Sequence, residues 1–423
     1  MASEIVPVME IIEPPPTVRK VTRTEQIWIK PFAQLSQLCY HSNALYNQAT
    51  YAIRQHFFAT REWFRYTKVY HLLKDSPHYK ALPAQTGQQV LKIVDQNFKS
   101  FFQATKARKK NPEKFKGKPK IPKYRKKQTE FSLFFTNQQL RLKNGILHFS
   151  KKILQKKVRF ENNTVFKGAR LHPRGDLYLL EVLYEIEIPE LELKHDRIIS
   201  LDLGVTNLVT LVNNFGEQPV VIKGGVAKLI NQWYNKVRSH LQSVFDKNQV
   251  EYNERKKKVE FQRNKQINDL FHKITRAIIN YCIHFRVDTL VIGYNPQWKQ
   301  QVNLGKVNNQ NFVNLPFLKL IHMLQYKVEH HGICVILEKE SYTSKCSFLD
   351  DEPIQKHEKY MGKRIHRGLF RSKNGTLINA DVNSAYNILR KAFPKAFAEG
   401  IDDVGLHPRC YKLVPHGTCD ILK

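Results

Sequence analysis

Paired cysteines are missing from this sequence. Its six cysteines, Cys39, Cys282, Cys334, Cys346, Cys410 and Cys419, are scattered, with no C-x-x-C among them. That excludes a disulfide framework and suits thiols kept reduced. Long apolar runs are missing too. No stretch reaches the roughly 18 residues that span a bilayer, and no short basic amphipathic helix dominates the charge. The start MASEIVPVMEIIEPPP has neither the basic nor the apolar region of a secretory signal. The expectations are no membrane partner and a cytoplasmic location. Acid is scarce: 37 Asp and Glu stand against 69 Lys and Arg, leaving a formal charge of +32. That exceeds what solubility requires, so a polyanion is the expected partner.

What is present is enough for two or three domains. The 423 residues are 42% hydrophobic and 25% charged, the balance of a folded chain. Residues 1–20, with Pro14, Pro15 and Pro16, read as a flexible leader. TRTEQIWIK (22–30) alternates like a strand. Over residues 33–105 the period becomes helical, with Leu35, Leu38, Leu45, Tyr46 and Ala49 on one face and Val90, Ile93, Val94 and Phe98 on another. Aromatic rings such as Phe57, Trp63, Phe64 and Tyr70 are expected mainly in the core, with a minority free to stack on bases. Then follows KARKKNPEKFKGKPKIPKYRKK (106–127), where only Glu113 offsets the cations. Folding gains nothing from such self-repulsion. Lys109, Lys110, Lys116, Lys118, Lys120, Lys123, Tyr124, Arg125, Lys126 and Lys127 are therefore candidate nucleic-acid contacts, supplying affinity more than sequence choice.

Short alternating runs fill residues 130–193, with Asn144-Gly145 as a hairpin turn. They predict a small antiparallel β domain made of 21–32 and 128–195, with a helical domain (33–127) inserted. From 196 to 423 the order is different. Strands at 199–212 and 218–224 lead to a long charged helical segment (227–285), then to a strand at 288–300, a helix at 316–330 and a strand at 332–340. This succession is that of an α/β ribonuclease-H-like domain.

Two aspartates stand out there. Asp202 interrupts the apolar strand ISLDLGVTNLVTLV, and Asp381 sits where a loop becomes the helix of LINADVNSAYNILRKAF. Taken singly, Asp202 reads as a turn former beside Gly204 and Asp381 as a helix cap. Taken together, acids at the ends of two elements can share a divalent cation. The two stretches resemble the first and third motifs of the RuvC-type nuclease domain of the TnpB family, transposon-encoded RNA-guided nucleases related to type V CRISPR effectors. LFHKITRAIINYCIHF also resembles that family's H-K-x-(S/T)-R helix. The resemblance implies a wedge β domain, β-barrel-like, carrying a helical recognition domain; guide RNA and target DNA as partners; and one or two protomers on one RNA. It also implies Mg²⁺ or Mn²⁺ as cofactor and a prokaryotic cell as the setting.

The chain departs from that pattern twice. Where the second motif carries a glutamate, this chain has Gly293. Two-metal hydrolysis needs several carboxylates, and the replacements available are Glu338 and Glu340, which strand alternation puts on one face. Glu340, nearer the strand end, is preferred, giving Asp202, Glu340 and Asp381 as catalytic and metal-binding residues with Glu338 as the alternative. The family's paired zinc cysteines are absent as well, which predicts no zinc. In their place a basic loop (341–378) is expected, with Arg364, Arg367 and Arg371 guiding a strand and Phe348, Leu349, Leu369 and Phe370 packing it. The function implied is RNA-guided DNA cleavage beside a short adjacent motif. The alternatives are an RNA-guided DNA-binding protein that has lost cleavage, and a type V effector of TnpB descent.

Overall fold

Asn144 and Gly145 both take positive φ, 49° and 67°, the backbone that joins adjacent antiparallel strands in a two-residue turn. In the computed structural model of the chain, the residues described are 18–149, 157–159, 165–189, 196–248, 254–295, 315–398, 400–413 and 421–422. The expected leader falls almost wholly outside them, as does the end of the strand expected at 288–300. The chain divides into two compact units. One is Lys20–Glu187; the other holds the described residues from Ile188 onward.

In the first unit, β1 (Val18–Ile29) precedes four helices: α1 (Ala33–Thr60), α2 (Tyr66–Leu73), α3 (Pro77–Lys80) and α4 (Ala84–Lys110). Helix α1 buries Leu35, Leu38, Leu45, Tyr46, Ala49 and Ile53, and α4 buries Val90, Leu91, Val94 and Phe98. Each fully buried Leu, Ile or Phe contributes about 1.5–3 kcal/mol. The strands that follow are β2 (Leu133–Thr136), β3 (Leu140–Lys143), β4 (Ile146–Phe149), β5 (Lys157–Arg159), β6 (Val165–Arg174) and β7 (Leu177–Pro189). They form two sheets among the described residues, β1-β7-β6-β2 and β3-β4-β5. The early strand does join the later ones. Strand β6 was hidden in the sequence because Gly168 and Pro173 interrupt its alternation, and the register shifts at Phe166/Gly168.

The second unit is built on a six-stranded sheet. Its strands are β8 (Ile198–Leu203), β9 (Asn207–Asn213), β10 (Val220–Lys223), β11 (Thr289–Tyr294) and β12 (Cys334–Lys339), with β16 (Arg409–Tyr411) at one edge; the order is β12-β11-β8-β9-β10-β16. Strands β8, β11 and β12 run parallel, and β9 runs antiparallel to β8. Because side chains alternate, one face of this sheet presents Ile199, Leu201, Leu290 and Ile292. These pack in one core with residues of α5 (Gly225–Lys247), α6 (Glu254–His284) and α7 (Phe317–Glu329). The other face presents Ile198 and Val291 to a second core with α8 (Ala380–Ala392).

The expected basic loop is instead a small antiparallel sheet, β13 (Lys363–His366), β14 (Leu369–Arg371) and β15 (Leu377–Asn379). Phe370 and Phe348 are buried as expected. The turn before the sheet is held from α8: Asn383 Nδ2 donates to Cys346 O at 2.9 Å, and Asn387 Nδ2 donates to Thr343 O and Cys346 O at 2.9 and 2.8 Å. Buried Glu352 accepts from the Ser347 and Met361 amides at 2.7 and 2.9 Å.

Candidate active site

Strand β8 carries Asp202 toward the α8 face. Ser200, two residues earlier, donates to Ala385 O at 2.6 Å, tying that face to the helix. Asp202 pairs with Thr210 inside the ladder, so it is a strand residue and not a turn former. Asp381 is not the cap of α8 either. That role belongs to Asn379, whose Oδ1 accepts from the Asp381 and Val382 amides at 3.0 and 3.2 Å. Both aspartates are thereby left with side chains not needed for local structure.

They meet in a cleft of about 690 Å³, lined also by Thr206, Asn207, Lys223, Arg364 and Arg367. Burial, and then the neighbouring Asp381, push the Asp202 carboxyl up to about 7, against the pull of Ser384, Arg364 and the Leu203 amide. Asp381 accepts from Asn207 Nδ2 at 2.6 Å and from Arg364 Nη2 at 3.1 Å. Lys223 Nζ in turn donates to Asn207 Oδ1 at 3.0 Å. Thr206 accepts from Lys228 at 3.1 Å and also from Arg367. The β13–β14 hairpin therefore brings two of the expected arginines to the cleft, Arg364 onto Asp381 and Arg367 onto Thr206. Arg371 lies exposed on β14 beside Lys363, outside the lining of the cleft.

The two candidate glutamates separate clearly. Glu338 is level with Gly293 across the β11–β12 ladder, but its carboxylate turns to Lys391 Nζ at 3.3 Å and the Lys339 amide at 3.0 Å. Glu340 follows the strand and folds back over Gly293. A Cβ placed on Gly293 would lie 2.7 Å from Glu340 Oε1 and 2.6 Å from Ile388 Cδ1. The glycine is thus a condition for this position of Glu340. The β8–β11 pairing runs to Leu201 opposite Ile292, so Gly293 follows level with Asp202 and on the same face. The Glu340 carboxylate occupies the place that a side chain from position 293 would fill.

Among the described residues no three His, Cys, Asp or Glu side chains converge closely enough to hold an ion. Asp202 and Asp381 meet as a pair, and Glu340 stands one strand away. The donor set still suits a hard divalent cation. Two carboxylates share one cleft, burial and then their mutual repulsion hold Asp202 raised, and the Arg364 guanidinium supplies positive charge on Asp381.

The other nucleic-acid candidates lie in the first unit. Lys109 and Lys110 end α4, and Lys116, Lys118, Lys120, Lys123, Lys126 and Lys127 are exposed on a segment without regular structure. This segment runs along α1. Asn43 and Asn47 donate to the Lys126 and Arg125 carbonyls at 3.0 and 3.1 Å, and Arg54 donates to Pro122 O at 2.9 Å. Arg125 serves the fold: its Nε donates to Asn43 Oδ1 at 2.9 Å and its guanidinium lies 4.3 Å from the centre of the Phe131 ring. Tyr124 is exposed, with Arg54 over its ring. Sequence reasoning passed over Asn207, Lys223 and Lys228. The one signal was their position at strand and helix ends next to the LDLGVT run.

Residues 181–299 match the family model OrfB_IS605, described as a probable transposase, and residues 317–388 match the Cas12f1-like TNB domain. A TnpB-like protein, ORF457, of Acidianus two-tailed virus is 23% identical over 209 residues, 47% of this chain and 42% of its own length. The CRISPR-associated endodeoxyribonuclease Cas12f2 of a Micrarchaeota archaeon (strain CG1_02_47_40) is 26% identical over 230 residues, 51% of this chain and 40% of its own. The matched region is thus about two-fifths of the length of these curated relatives. Among solved structures, Cas12f1 in complex with sgRNA and target DNA has a TM-score of 0.50 at 14% identity, covering 84% of this chain and 81% of that one. That likeness extends to the fold.

Proposed function

We propose that this chain, a member of the TnpB and Cas12f family, is an RNA-guided DNA endonuclease whose second-motif glutamate has moved from β11 to the end of β12. The observation that carries this reading is the Glu340 carboxylate over Gly293, level with Asp202. A guide RNA would specify the target by base pairing, leaving the protein to hold backbone and to read a short adjacent motif. Mg²⁺ or Mn²⁺ would be held by Asp202 and Asp381, with Glu340 as the third carboxylate. Bound there, such ions supply Lewis-acid activation of water and stabilisation of the leaving oxygen. The protein's own residues do the remaining work. Asn207 and Asn379 orient Asp381 and its helix, and Arg364 and Arg367 offer guanidinium groups to a strand entering the cleft.

A second reading has its own support. Arg364 bridges to Asp381, and an arginine left there permanently would make the chain a guide-dependent binder without cleavage.

The test is cleavage of a matched double-stranded target by protein purified with RNA from its own locus, with and without Mg²⁺. Metal-dependent cutting abolished by Asp202→Ala and Glu340→Ala, and kept by Glu338→Ala, is the expected result. Guide-dependent binding with no cutting by the unmodified protein would replace this reading with the second.

A further inference from the structure

Helix α8 carries, besides Asp381, a tyrosine that has no part in the carboxylate cleft. Tyr386 is 2% exposed. Its ring is fixed on two sides, stacked on Phe348 at 4.7 Å between centres and edge-on to Phe397 at 5.3 Å. Among the described residues no group donates to its hydroxyl or accepts from it. A buried phenol normally finds a partner, and one left unpaired costs about 1–3 kcal/mol. The hydroxyl stands beside Gly405, where a Cβ would lie 2.8 Å from Tyr386 Oη. Both residues line a second cavity, of about 460 Å³, between the turn that follows β9 and the chain that leaves α8. That volume falls in the range of small-molecule sites, about 300–1,000 Å³.

The turn is held by its own bonds. Asn213 Oδ1 accepts from the Phe215 and Glu217 amides at 3.1 and 3.0 Å, and its Nδ2 donates to Glu217 O at 2.8 Å. The Asn213 side chain is thereby used up, and Tyr386 has no claim on it. The charged side chains of the lining are Glu217 and Asp402 with Lys395, all exposed. None of the three forms an ion pair among the described residues. In a sequence with 69 Lys and Arg against 37 Asp and Glu, two acids to one base reverses the local sign and favours a cation. Phe397 and Ile401 add an apolar wall. A carboxylate makes charge-assisted bonds to ammonium or guanidinium groups, a phenol oxygen accepts from the same N–H groups, and the apolar wall suits methylenes. We propose that this cavity, with Tyr386 inside and Glu217 and Asp402 at its rim, binds a small aliphatic cation bearing ammonium or guanidinium ends. The inference stands apart from cleavage, since none of these residues lines the Asp202–Asp381 cleft.

The test is calorimetric titration of the full chain, freed of nucleic acid so that no other polyanion takes up the amine. Putrescine and agmatine are the probes, with glutamate as the anionic control. Saturable one-to-one binding of at least one amine, and none of glutamate, is the expected result. The double variant Glu217→Gln/Asp402→Asn, altered only at exposed positions, should lose about ten-fold or more in affinity, as expected when charge-assisted bonds go. Tyr386→Phe keeps the ring packing and should lose about three- to ten-fold, the worth of one hydrogen bond. Lys395→Gln should bind the amine no more weakly than the parent. Without amine, the thermal midpoint of Tyr386→Phe should equal or exceed the parent's, because the hydroxyl it removes has no partner in the protein. A lowered midpoint would mean that the hydroxyl is bonded within the fold, and would overturn the proposal. So would tighter binding of glutamate than of either amine, undiminished affinity in the double variant, or no saturable binding of either amine, which would leave the cavity to water.

Discussion

Glu340 and Gly293 act as one pair of residues. A methyl group at 293 would collide with the Glu340 carboxylate and with Ile388, so Gly293→Ala is expected to lower cleavage at least ten-fold and to cost about 1–3 kcal/mol of stability. The reverse exchange is more informative. Gly293→Glu combined with Glu340→Gly places a carboxylate in the same volume from the other strand, with the end of Ile388 yielding. Cutting should survive in this double variant and fail in either single one, which a plasmid cleavage assay reads directly. Asp202 allows a second prediction. Its folded carboxyl titrates near 7, whereas in the unfolded chain it titrates at about 3.9. Between those values the folded protein holds a proton that the unfolded chain has released, so stability in chelator falls as pH rises from about 4 to about 7. Thermal unfolding should show this decline, and Asp202→Asn should reduce it.

Helix α8 has two tasks that its sequence period conceals. Its apolar stripe, Val382, Ala385, Ile388 and Leu389, packs on the sheet, and its buried asparagines build the neighbouring turn. Asn387→Ala would orphan the Thr343 carbonyl and leave Cys346 O with Asn383 as its side-chain donor, at about 1–3 kcal/mol for a buried group left unpaired. The β13–β14 hairpin should then loosen, with faster amide exchange at Arg364 and Phe370 than at Val209 in the central sheet. Equal exchange in variant and parent would contradict this account of the turn. This was the stretch least legible beforehand. The turn before the hairpin is held by Glu352 and by two asparagines from a helix about 30 residues further on, and periodicity does not report side-chain partners across such a distance.

For the whole chain, charge dominates. With a formal charge of +32, binding to RNA should weaken steeply with salt, each neutralised phosphate adding about 0.7 to the slope for single strands. A slope below about 2 would contradict a nucleic-acid partner held through its backbone. Much of the architecture was readable in advance. The early strand joins the later β-strands, helices occupy the region between them, and the strand-helix order of the second unit follows the apolar runs. The last residues became readable only in the fold, where β16 pairs with β10 and Ile421 enters the core.

Composition and local pattern were sufficient to propose a polyanion partner, to single out the two aspartates, and to show the absence of a glutamate at 293. Charge adds along a chain whatever its fold, and periods of 2 and 3.6 are local properties. Between Glu338 and Glu340, alternation puts both on one face and only nearness to the strand end favoured Glu340. What tertiary packing adds is that Lys391 draws Glu338 aside, while a glycine on the neighbouring strand leaves room for Glu340.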